Sequence, residues 1–283
     1  MRQPSFFSDP KWRTEPFIGI PATLGDDFWL FAEQLPGMFF EIDKMRNDMT
    51  ITDSARLDIT LGYLHRLSTI KHEFDNWLAQ LAAQNHPSPV YWEVPTSLPF
   101  HTDPALVNVF PKCYHFADSS TAALMVKYWI FYSHLLRNIF DLLELVGSNY
   151  QYLKPSLPHR DTIYSTLLTT YAHIRLSLGY TIAESRSNYM TMMFFVWMPI
   201  TQLLGFYGSN AERFHWELRF CYAAKDLVEE VTMNGQWKGV LKQMGWGPQT
   251  EEVRKRLMEV YAPGGEEDEM IGMASDEKEV RVR

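Results

Sequence analysis

Asp141 and Glu144 form the most metal-like arrangement in the chain. Two carboxylates three residues apart project from one face of a helix, and such a pair could hold Mg²⁺ against a diphosphate. Their neighbours decide the matter. At 100° per residue, Lys127, His134, Arg137, Asn138, Asp141 and Glu144 fall within one sector of roughly 120°. A stripe mixing both charge signs is the water-facing side of a mostly buried helix, so the pair reads as solvated charge. His65 and His72 share a helix face but stand about 10 Å apart by helix rise, too far to ligate one ion together. There is no Gly-x-Ser-x-Gly elbow, Walker phosphate loop, Gly-x-Gly-x-x-Gly or His-Glu-x-x-His. Two cysteines, Cys113 and Cys221, cannot build a disulfide framework or a cysteine-based zinc site. No catalytic residue, metal ligand or cofactor is predicted.

Arg175 is the one charge that breaks its pattern. Tyr164, Leu167, Leu168, Tyr171, Leu178 and Ile182 define an apolar helix face, and Arg175 falls on it between Leu168 and Ile182. A guanidinium buried there needs full hydrogen bonding or costs several kcal/mol. It is either a structural ion pair, a side chain reaching for the edge, or a recognition residue for an acidic ligand. Trp129, Met125, Trp197 and Met193 could wall an apolar pocket beside it, because methionine and aromatic side chains suit adaptable cavities. Periodicity alone does not separate such a pocket from a filled core. The abundant aromatics sit at apolar helical positions and are not interleaved with Arg and Lys, which favours packing over base stacking.

These residues must be positioned by helices. Leu57, Leu61, Leu64, Ile70, Phe74, Leu78 and Leu81 recur at helical spacing after the capping types Asp53 and Ser54, predicting a helix to about Ala83. A second should run from Asp118–Ser120 to near Gly147, and a third from about Asp161 to Ser185. Two more are expected over Asn188–Phe206, kinked at Pro199, and over Asn210–Val231. Shorter helices fit Asp26–Leu35, Met38–Arg46, Gly235–Met244 and Gln249–Val260. Pro87, Pro89, Pro95, Pro99, Pro104 and Pro111 exclude a continuous helix between His86 and Lys112 and predict an irregular connection. No run shows the strict alternation of a strand. The expected fold is all-α: one compact multi-helix domain over residues 1–245, a C-terminal helix over 246–262 and an acidic disordered tail over 263–283.

Composition narrows the function classes. The chain has 283 residues and a net charge of −8. The tail holds seven acids against three bases, which is −4, so the body is only mildly acidic. A protein that neutralises many phosphates would carry a basic excess, so direct nucleic-acid binding is not expected. The first residues show no apolar run of the secretory type. The Tyr189–Phe206 stretch is long enough to span a bilayer but is interrupted by Thr191, Pro199, Thr201 and Gln202, so a buried helix is expected and no membrane partner.

A set of landmarks resembles the regulatory domain of fungal zinc-binuclear-cluster transcription factors. Phe7-x-x-Pro10-x-Trp12 with Pro16-Phe17 opens the set, followed by Leu35-Pro36 and Asp43. Then come Tyr114-x-Phe116-x-Asp118, Ala122, Tyr128-Trp129, Ala172-x-Ile174-x-x-Ser177-x-x-Tyr180, the Phe195–Pro199 segment and Trp216. They follow the family's order over roughly residues 6–245. The resemblance implies an all-helical regulatory region, nuclear in most members (cytoplasm is the alternative), often controlling catabolic or secondary-metabolite pathways. The family's DNA-binding module needs six cysteines, and this chain has two. Arg175 stands where the family motif often carries a small cysteine. The expectation is a ligand-sensing or protein-interaction module, its partner a small apolar or acidic metabolite or a protein regulator. The alternative is a secondary-metabolite enzyme, a cyclase or isomerase, that uses the helical body as a substrate-shaping cavity.

Overall fold

Capping chemistry starts the described chain. Thr23 and Asp26 form a reciprocal capping box, the Asp26 carboxylate accepting from the Thr23 N–H at 2.7 Å, and helix α1 follows over Leu24–Ala32. The structure is a computed structural model that describes residues 23–96, 98, 103, 105–147, 157–185 and 193–232. After α1 come α2 (Gln34–Asn47), α3 (Asp53–Gln84), β1 (Tyr91–Pro95), α4 (Ala105–Val109), β2 (Lys112–Phe116), α5 (Ser119–Val146) and α6 (Arg160–Ser185). A π-helical turn (Met193–Trp197), α7 (Met198–Gly208) and α8 (His215–Thr232) complete the order. The fold is all-α, with a two-stranded sheet as its one departure among the described residues. The helices expected over Gly235–Met244 and Gln249–Val260, the tail over 263–283, and the landmarks Phe7 to Phe17 lie outside the described residues.

Contacts divide the chain into two units, one of residues 1–98 and 111–202, the other of 99–110 and 203–283. In the first, α5 packs chiefly on α6 and on α3, while β2 packs on α6. The apolar face of α3 buries Leu64, Ile70, Phe74 and Leu81 as predicted, but its other buried apolar members are Leu67 and Trp77, while Leu57, Leu61 and Leu78 stay half-buried. Each fully buried large side chain contributes about 1.5–3 kcal/mol. Thr52, one residue before the expected capping types, takes the N-cap of α3. Arg56 then reaches back to the carbonyls of Met45, Arg46 and Asp48, satisfying oxygens left over at the end of α2. Asp118 caps α5 by accepting the Thr121 N–H at 2.8 Å, and Gly147 ends it at φ 78°, a left-handed conformation that glycine tolerates. Of the mixed-charge stripe on α5, His134, Arg137 and Glu144 are exposed, Lys127 and Asp141 are half-buried, and Asn138 is buried and bonds the His134 carbonyl. In the second unit α4 packs on α8.

Three local expectations need correction. The proline-rich connection contains two strands, paired antiparallel with Tyr91 opposite Phe116 and Pro95 opposite Lys112. Alternation was invisible because β2 is covered on both sides, so Cys113 and Tyr114 are both buried. The distortion near Pro199 is the π-helical turn that runs directly into α7, and Pro199, the second residue of α7, has no N–H to donate back into that turn. Helix α8 starts at His215, not Asn210, because the Asn210 carbonyl accepts the N–H groups of Arg213 and Phe214 in a separate turn.

Candidate functional site

Helices α5 and α6 and the hairpin bring one group of aromatic and titratable side chains together. Trp129 sits on the buried face of α5, His173 on α6, Tyr114 on β2 and Tyr91 on β1. The Trp129 and His173 rings stack at 5.3 Å with an interplanar angle of 8°. Tyr114 stacks on His173 at 5.7 Å and lies 5.9 Å from Trp129, and Tyr91 meets Trp129 edge-on at 5.3 Å. Such ring pairs contribute roughly 0.5–1.5 kcal/mol each beyond the area they bury. The Tyr114 hydroxyl is 2.7 Å from His173 Nδ1.

Electrostatics set the charge states of the two partners. Burial pushes the Tyr114 phenol well above its ordinary range, with smaller upward contributions from Tyr91 and Glu93 and a downward one from the Arg175 guanidinium. Burial also pushes the His173 imidazole below its usual 6.5. Both groups are therefore neutral near pH 7; the Tyr114 hydroxyl donates to Nδ1 in one imidazole tautomer, and Nδ1–H donates to the phenol oxygen in the other. The arrangement packs a neutral imidazole against the buried Trp129 and Tyr114 rings, with a positive field from Arg175 on one side. A phenol and an imidazole in hydrogen-bond contact can relay a proton.

The predicted residues divide around this group. Trp129 lies inside it. Arg175, two positions beyond His173 on α6, is half-buried and acts on Tyr114 through its charge. Met125 is fully buried one turn before Trp129 on α5, and Trp197 is buried in the π-helical turn. The backbone of Met193 belongs to that turn, but its side chain lies outside what is described. Asp141 pairs with Arg137 at 2.9 Å and lies 3.8 Å from Arg46, while Glu144 pairs with Arg160, so these two carboxylates are committed to arginines.

Sequence reading missed His173 and Glu93, and took Tyr114 only as a landmark. A usable signal was present: His173 and Tyr180 are seven residues apart and both meet the hairpin, Tyr180 through His115 and Phe116. Gly179 marks the same face, because a Cβ there would meet Cys113 on β2.

Three further polar clusters are structural in geometry. Gln202 bonds the Ser133 hydroxyl, which donates to the Ile130 carbonyl at 2.8 Å. The Tyr132 hydroxyl donates to Asp75 at 2.6 Å while Lys71 holds the other carboxylate oxygen at 2.7 Å. In the second unit Asp103 and Arg219 form a buried two-point pair at 2.8 and 2.9 Å, and the guanidinium lies 4.4 Å from the Trp216 ring centre.

Among the described residues, no helix is long and apolar enough to cross a membrane. No protein-family model matches the chain, and neither does any curated protein or solved structure.

Proposed function

We propose that this chain is a ligand-sensing regulatory module of the transcription-regulator type, without a DNA-contacting module within its 283 residues. Its ligand is a small, flat, acidic metabolite. The observation that supports the reading is the Trp129–His173–Tyr114 stack with the Arg175 charge beside it. The rings supply a polarisable surface, and Arg175 supplies a cation for a carboxylate or phenolate. Residence in the nucleus and a role in fungal secondary metabolism follow from the resemblance in the landmarks that include Tyr114, Trp129 and the Ala172–Tyr180 motif.

The test is Arg175→Met. The variant should keep wild-type helicity and melting behaviour, yet lose the change in tryptophan fluorescence that aryl carboxylic acids produce in the parent protein. Loss of stability with an unchanged response would reduce Arg175 to a structural residue.

A second reading rests on the Tyr114–His173 hydrogen bond. A phenol and a neutral imidazole at 2.7 Å can pass a proton, which is the minimum equipment of an isomerase or cyclase. Incubation of purified protein with candidate pathway intermediates tests it. A product formed by the parent protein and not by His173→Phe supports the enzyme, and unchanged intermediates count against it.

A further inference from the structure

Lys127 is a half-buried cation held between aromatic rings. Its ammonium nitrogen lies 5.5 Å from the ring centre of Trp29 on α1 and 5.3 Å from that of Phe195 in the π-helical turn. Both elements approach the same side of α5. Phe131, one turn further along α5, packs edge-on against Trp29 at 5.6 Å. Lys71, also half-buried and near the Tyr132 ring, by contrast holds the Asp75 carboxylate at 2.7 Å. No carboxylate among the described residues lies within 4.0 Å of Lys127.

Two ring faces within about 6 Å attract a cation, but they replace only part of the hydration that half-burial removes. Burial accordingly lowers the Lys127 pKa from its usual 10.5. A carboxylate delivered to the nitrogen would make up the difference with a charge-assisted hydrogen bond. Large apolar side chains are exposed nearby in sequence: Trp29 is 42% and Leu30 43% exposed on α1, and Met198, the first residue of α7, 42%. A ligand that fits must therefore carry a negative head for Lys127 and an apolar body for Trp29 and its neighbours.

We infer that Lys127, Trp29 and Phe195 form a binding site for a free acyl carboxylate, separate from the Tyr114–His173 group. The carboxylate pairs with the Lys127 ammonium, and the hydrocarbon chain lies over Trp29, Leu30 and Met198. The occupant is a small amphipathic anion because the site offers one cation and a short apolar strip; a nucleic acid or an acidic protein surface would call for several cations.

The experiment is a titration of the full chain with decanoate, with decanol as the uncharged control, read by tryptophan fluorescence and by calorimetry. Decanoate should bind, and decanol should bind roughly tenfold more weakly, as loss of one charge-assisted contact implies. Lys127→Met should cost the same roughly tenfold, Lys127→Arg should retain most of the affinity, and Trp29→Ala should weaken both ligands. Circular dichroism of each variant must match the parent. Arg175→Met should leave decanoate binding unchanged, which separates this site from the proposed sensing site. The inference is overturned if decanoate fails to bind, if Lys127→Met and the parent bind it equally, or if Arg175→Met abolishes binding.

Discussion

Gly179 gives the sharpest test of how the candidate site is held. It lies on α6 where that helix packs on β2. A Cβ added there would stand 2.7 Å from the Cys113 Cβ and 2.9 Å from its Sγ. Carbon atoms prefer about 3.5–4.0 Å, so helix and strand must part locally by roughly 1 Å. Neither Cβ can rotate away, because each is fixed to its backbone. Overpacking of this kind costs about 1–3 kcal/mol. Replacing a helix-interior glycine by alanine otherwise gains about 1 kcal/mol. The expected net for Gly179→Ala is a loss of up to about 2 kcal/mol. Gly62 provides the control: it lies within α3, and nothing stands within 4 Å of its added Cβ. Gly62→Ala should therefore gain stability by about 1 kcal/mol. Urea titrations of both variants measure the difference. Combining Gly179→Ala with Cys113→Gly, which removes both clashing atoms, should shrink the Gly179→Ala cost. If Gly179→Ala stabilises as much as Gly62→Ala, the close approach of α6 to β2 is not real, and the placement of His173 against Tyr114 loses its support.

His173 should make stability depend on pH. Its folded pKa is held below the unfolded value near 6.5, so as pH falls the unfolded chain takes up the proton first. This contribution is present above 6.5 and is lost below it, with a slope of at most about 1.4 kcal/mol per pH unit. Unfolding free energies measured from about pH 7.5 to 5.5 should fall less steeply for His173→Phe than for the parent; parallel curves would refute the buried neutral imidazole. In the second unit, Asp103→Ala deprives the buried Arg219 of its two-point carboxylate and should cost about 3–5 kcal/mol in denaturant unfolding. The paired replacement Asp103→Leu with Arg219→Met should recover most of that loss, and equal losses in the single and double variants would contradict the assignment.

Much of the helical frame was legible because it depends on spacing and capping. The α3 face repeats every three or four residues, Asp118 announces the start of α5, and Gly147 announces its end. The hairpin was not legible. Pro95 and Pro111 flank its loop and argue for irregularity, and burial on both sides of β2 removes the alternation by which a strand is recognised. Arg175 stood out as a charge on an apolar face, and the structure places it half-buried with its charge acting on Tyr114. His173 did not stand out, since a histidine on a helix carries no periodic signature. Met125 and Trp197 satisfied the pocket criterion as well as any core residue would, and both are buried.

Sequence by itself determined that this chain folds as helices and where most of them start, because backbone hydrogen bonds and apolar periodicity act over a few residues. It determined the buried faces only in part, since Leu61, Leu78, Tyr164 and Leu168 stay half-buried. It also determined that Asp141 and Glu144 belong to a mixed-charge stripe. Tertiary structure alone decided that Tyr114, Trp129 and His173 become one stack, and that Lys127 rests between Trp29 and Phe195. Those contacts join residues 15 to 98 positions apart. Nothing local dictates them: they exist because α5 and α6 pack against each other, the hairpin closes over α6, and α1 and the π-helical turn meet α5 on one side.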